Sequence, residues 1–204
     1  MTGLSLSRRT LIGGISASAL FPSWARSGTP GLSGGVGAPL SGPEIRLNVG
    51  HTSFTVGGRT GHAVTVNGTL PAPLIRLKEG QTARLIVSNH LDEDTSIHWH
   101  GLLLPFQMDG VPGISFPGIA PHSRFTYEFP VIQSGTYWYH SHSNLQEAMG
   151  HYGPIVIDPA EADPVAYDRE HVIVLSDWSF MHPHAILTKL KKSEGYFNYQ
   201  RQTL

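Results

Sequence analysis

The 204-residue chain contains no cysteine. Disulfides, thiolate-bound zinc, iron–sulfur clusters and a cysteine-ligated blue-copper centre are therefore excluded from these residues. Charge is also scarce, at 14% of residues, and the formal net charge is only −1. There is no basic stripe, so nothing points to nucleic acid. The small group Lys189, Lys191 and Lys192 reads as a solvated helix face. Long apolar runs are missing as well. The most apolar early stretch, residues 11–21, is too short and too rich in glycine and serine to give a stable membrane span.

Glycine (23) and proline (15) are plentiful, and 40% of the residues are hydrophobic. That balance suits a folded chain of short strands and many turns. Apolar alternation predicts strands over 45–49, 53–56, 63–66, 74–77, 83–89, 96–100, 124–131, 136–140 and 154–157. Asn67-Gly68 and the run Lys78-Glu79-Gly80-Gln81 supply turn signals between them. The expected fold class is all-β, a Greek-key sandwich or barrel. After Asp158-Pro159 the texture changes. Residues 171–175 read as a strand, and 183–192 carry helical spacing at Ile186, Leu187 and Leu190. One strand and one helix after a complete sandwich read as the start of a truncated second domain.

The N-terminus reads as an export signal over 1–25: Arg8-Arg9-Thr10, a modest apolar stretch, then small residues Ser23 and Ala25 before a cleavage point. The adjacent arginines resemble a twin-arginine signal, which implies the twin-arginine export machinery and a periplasmic destination. Residues 26–43 read as a flexible Gly/Ser/Pro linker, 44–158 as the β-domain and 159–204 as linker and second-domain start.

Two short motifs carry the chemistry, His98-Trp99-His100-Gly101 and His140-Ser141-His142. On a strand, residues i and i+2 face the same way, so each pair would present both imidazoles on one face. Two such strands side by side would gather four imidazoles, with Trp99 and Ser141 turned aside. Imidazole without thiolate suits copper, zinc, iron or nickel, and copper is favoured here. Trp99 is expected in the core, and Gly101 is expected to admit a close neighbour. The remaining histidines are expected to be ordinary: His51, His62, His90, His122, His151 and His171 as hydrogen-bonded groups, and His182-Pro183-His184 as a helix opening.

His98-Trp99-His100-Gly101, the segment Met108-Asp109-Gly110-Val111-Pro112-Gly113 and the run Gly135-Thr136-Tyr137-Trp138-Tyr139-His140-Ser141-His142 together resemble the first cupredoxin domain of a multicopper oxidase. Thr95-Ser96-Ile97 before the first pair, Tyr167-Asp168-Arg169-Glu170-His171 and Leu175-Ser176-Asp177-Trp178 narrow the likeness to the copper-resistance protein A branch. The resemblance implies a cupredoxin-like sandwich and copper as cofactor. It implies His98 as a type 2 copper ligand and His100, His140 and His142 as type 3 ligands, half the set of a trinuclear cluster that reduces O2. Cu(I) or a phenolic compound would be the reductant. Asp109 matches an acid that helps deliver protons in related oxidases, while its simpler reading is to initiate the Asp-Gly turn.

The family's other ligands and its blue-copper cysteine come from a C-terminal domain that these 204 residues do not contain. The chain is thus expected to be an N-terminal fragment or the product of an interrupted gene, inactive as an oxidase by itself. A non-catalytic copper-binding or sequestration module is the alternative. A cupin or zinc-hydrolase site ranks lower, because it gives the flanking aromatic and Met-Asp-Gly segments no role.

Overall fold

A computed structural model of the chain describes residues 39–163 and 165–198. The export signal read over 1–25 and the linker's residues 26–38 lie outside the described residues. Eight strands and one α-helix follow in order: β1 (Ile45–Val56), β2 (Arg59–Val66), β3 (Ile75–Lys78), β4 (Thr82–Asn89), β5 (His98–His100), β6 (Arg124–Pro130), β7 (Gly135–His140), β8 (Tyr152–Asp158) and α1 (Pro183–Lys192). The strands form two four-stranded sheets, ordered β2-β1-β4-β6 and β3-β8-β7-β5. The β1–β4 and β3–β8 pairs are parallel and the others antiparallel. This is the expected all-β sandwich.

Inward-facing residues of both sheets make the core. Leu47, Val49, Leu85 and Val87 come from one sheet and Ile75, Trp99, Tyr139, Ile155 and Ile157 from the other, all essentially without solvent contact. Trp99 meets Tyr127 edge-on at 5.1 Å between ring centroids and lies 6.0 Å from Tyr139. Such aromatic packing fixes β5, a strand of only three residues, against the sandwich.

The structure departs from the sequence reading at several places. The segments 45–49 and 53–56 are one strand, because β1 runs unbroken through Gly50-His51-Thr52 to the Gly57-Gly58 turn. Both of those glycines have positive φ, +57° and +75°, as a tight hairpin needs. Leu40, expected within a flexible linker, bridges Ile75 in parallel and exchanges hydrogen bonds with Leu74 and Arg76. The strand expected over 171–175 is not formed; those residues have no ladder partner among the described residues. The helix does form over the expected span. His182 caps it, its ring accepting from the His184 amide, and Pro183 occupies the first turn, where a missing N–H costs nothing. No helix among the described residues is long and apolar enough to cross a membrane.

Candidate metal centre

The register of β5 on β7 builds the site. His98 lies directly opposite His140, Trp99 opposite Tyr139, and His100 opposite Trp138. With side chains alternating across the pleat, Trp99 and Tyr139 go to the core while His98, His100, His140 and Trp138 share the outer face. The His98 ring centroid lies 5.4 Å from His100, 5.5 Å from His140 and 4.8 Å from His142. His140 and His142 are 4.9 Å apart. One candidate donor nitrogen from each of His98, His100 and His140 falls within 4.8 Å of the others. His142 stands outside that group of three, at its exposed edge.

The second motif is not wholly a strand. β7 ends at His140, and His142 lies beyond it. Hydroxyl groups displace the ladder there: the His142 amide donates to Ser96 Oγ at 2.9 Å and the Ser143 amide to Ser141 Oγ at 2.9 Å. The bend still leaves the His142 ring beside His98 and His140. Ser141 turns inward as expected and donates to Gln146 Oε1 at 2.9 Å.

Each ring is oriented by its neighbours. His98 Nδ1 donates to the Asp109 carbonyl at 2.7 Å, and the Asp109 carboxylate lies 3.3 Å from the same nitrogen. That contact exists because Gly110, at φ +77°, lets the turn press against the backbone of Ile97 and His98. Asp109 therefore both sits at the Asp-Gly turn and touches the His98 ring. His140 Nδ1 faces the Glu147 carboxylate at 2.6 Å and the Ser141 carbonyl at 3.2 Å. His140 Nε2 faces His100 Nδ1 at 3.2 Å. Gly101, at φ +84°, brings the chain against the Tyr137 ring as expected.

Burial and like-charge neighbours favour the neutral form of His140 and His142. Burial, and then the neighbouring His142, His98 and His100, push the His140 imidazole down to about 4. Burial and His98 lower His142 as well. Neutral imidazole is the form that binds a metal. The donor set fits such an ion. With metal–nitrogen bonds of about 2.0 Å at a near-tetrahedral angle, two ligating nitrogens stand roughly 3.3 Å apart, close to the His100–His140 separation of 3.2 Å.

Several residues around the centre escape sequence reasoning. Trp138 stacks on His140 with centroids 3.9 Å apart and planes at 9°, and it lies 5.0 Å from His100. Glu147 arrives on a short 3-10 turn, and only the fold brings it to the His140 ring, Ser96 to the His142 amide and Gln146 to Ser141. Histidine His151 is wholly buried, with its Nε2 unpartnered, and burial pushes it down to about 3. Its short i+9 spacing from His142 gives no signal of any of this. The ordinary readings of His122 and His90 agree with contacts to Asp92 at 2.9 Å and Asn48 at 3.4 Å.

Residues 48–162 match the family model described as multicopper oxidase. The chain belongs to the multicopper oxidase family. Copper resistance protein A of Escherichia coli is 50% identical over 204 residues, covering 98% of this chain and 34% of that protein. The copper resistance protein A homolog of Pseudomonas syringae pv. tomato is 48% identical, covering 97% of this chain and 34% of its own length. Among solved structures, the multicopper oxidase from Pseudomonas thermotolerans superposes with a TM-score of 0.57 at 34% identity, over 59% of this chain and 30% of that one. Fet3p, a multicopper oxidase that functions in iron import, superposes with a TM-score of 0.65 at 32% identity, over 70% of this chain and 28% of that one. The chain thus spans about a third of the length of the curated relatives it matches. Copper is the metal of multicopper oxidases, and the imidazole group of this multicopper oxidase domain can hold it.

Proposed function

We propose that this chain is the first cupredoxin domain, residues 44–158, of a periplasmic copper-resistance oxidase, exported by the twin-arginine route. It supplies half the histidines of a trinuclear O2-reducing copper cluster. His98 would hold type 2 copper, and His100, His140 and His142 the type 3 pair. Residues 159–204 would be the linker and the beginning of a second domain. The observation that carries the reading is the pairing of His98 opposite His140, which puts imidazoles from two separate motifs on one face. The likeness to copper resistance protein A from two species supports the choice of branch.

Bound copper would pass electrons from a reductant, Cu(I) or a phenolic compound, to O2. The chain's own residues do simpler things. The Asp109 carbonyl holds the His98 proton on Nδ1 and so leaves Nε2 free. The Asp109 carboxylate, part-exposed beside that ring, is placed to hold a proton near the centre. A second reading, copper sequestration without turnover, is favoured for these 204 residues alone by their lack of cysteine. Metal analysis and electron paramagnetic resonance of the purified chain test the proposal. Copper retained over zinc, and lost in H98A/H140A, is expected; a chain that keeps zinc or nothing overturns it. Measurable O2 consumption with a phenol or Cu(I) would overturn the expectation that this chain is only half a site.

A further inference from the structure

Glu147 contacts the one ring of the centre that is buried. Its carboxylate meets His140 Nδ1 at 2.6 Å, with the glutamate side chain about half exposed (48%) and the histidine nearly enclosed (7%). The glutamate is delivered by a stiff support. It opens a single 3-10 turn, Glu147–Met149, that closes on Gly150 at φ +116°. A side chain at position 150 would meet Leu70 and the Val64 carbonyl, so the turn is pressed against the sandwich. The preceding residue, Gln146, is wholly buried and makes four bonds. Its Oε1 accepts from Thr95 Oγ1 at 2.7 Å and Ser141 Oγ at 2.9 Å. Its Nε2 donates to Glu93 Oε1 at 2.8 Å and the Asp94 carbonyl at 2.9 Å.

His140 is consequently bounded on three sides. Trp138 covers a face at 3.9 Å, Glu147 takes Nδ1, and Nε2 is directed at His100 Nδ1. An acceptor on Nδ1 keeps the proton there and leaves the Nε2 lone pair aimed into the imidazole group. A carboxylate does this better than a carbonyl, because it also makes the opposite nitrogen a stronger donor to a metal. We infer that Glu147 is a positioning residue, which fixes the tautomer and tilt of His140 so that Nε2 meets copper, with Trp138 as the plate against which the ring is held. The inference rests on the copper reading.

The test uses the full chain with Glu147→Ala, Glu147→Gln and, as a control for lost surface charge, Glu128→Ala. Glu128 lies on β6, where it pairs with Arg84. In the metal-free protein, nitrogen-15 NMR of His140 is expected to show the Nδ1–H form in wild type and E147Q, and a mixture with the Nε2–H form in E147A. Copper(II) affinity is expected to fall about tenfold to a hundredfold in E147A, to recover most of the way in E147Q, and to stay unchanged in E128A. Circular dichroism checks that each variant folds. The idea is overturned if E147A keeps both tautomer and affinity. It is also overturned if E147Q is as weak as E147A, which would make the carboxylate a ligand, or if E128A weakens binding equally. A wild-type chain that binds no copper while its tautomer responds to E147A would instead overturn the copper reading.

Discussion

A Cβ at position 110 would drive into the Ile97 carbonyl oxygen, and the backbone there already sits at φ +77°. Left-handed backbone costs a non-glycine residue roughly 1–2 kcal/mol before any collision is counted. G110A is therefore expected to lower stability in urea by more than that, and to weaken copper binding because the turn carries Asp109 away from His98. Unchanged unfolding midpoints would contradict it. His151 sets a second expectation at this scale. Its imidazole is held near 3 by burial, and His140 near 4, against an ordinary value of 6.5. Both folded-state values are depressed, so the unfolded chain binds protons first as acid is added. Stability should be full above about pH 6.5 and fall steadily toward pH 3. Urea titrations across that range check the slope, which H151Q should flatten even if it lowers the neutral-pH midpoint.

Strands were readable because their inward residues alternate, and the His-x-His motifs because a strand turns i and i+2 the same way. Helix α1 announced itself through Pro183 in its first turn and its apolar spacing. What the sequence concealed came from competition and distance. Ser96 and Ser141 offer hydroxyls that hold the bend beyond His140, contacts that no alternation pattern reports. Residues 171–175, His-Val-Ile-Val-Leu, are a continuous apolar and largely β-branched run, but a strand requires a ladder partner, and none pairs with them among the described residues. Glu147 reaches the His140 ring only after the chain has turned back between β7 and β8. One consequence can be measured on the loop itself. S96A removes the acceptor of the His142 amide and should cost about 1 kcal/mol. That amide is expected to exchange hydrogen markedly faster in the variant. Equal exchange would show that the hydroxyl does not hold the bend.

Taken as a whole, the described molecule has an enclosed sandwich and a much more exposed tail. Ile173 and Leu175 are 78% and 92% exposed, and Val165 and Tyr167 also face solvent. An apolar stretch with unpaired backbone groups is prone to pair with another copy. The 204-residue chain is expected to self-associate at micromolar concentration, and I173K/L175K to remain monomeric by sedimentation velocity. Equal sedimentation of the two proteins would remove the tail as the cause.

The flat stack of Trp138 on His140, 3.9 Å between ring centres, has a practical side. An indole that close to a paramagnetic ion loses its excited state before it can emit. Loading should thus dim the chain's ultraviolet glow, with Trp138 the most affected of its four tryptophans. W138F would remove much of that dimming, turning occupancy into something a simple fluorimeter can follow.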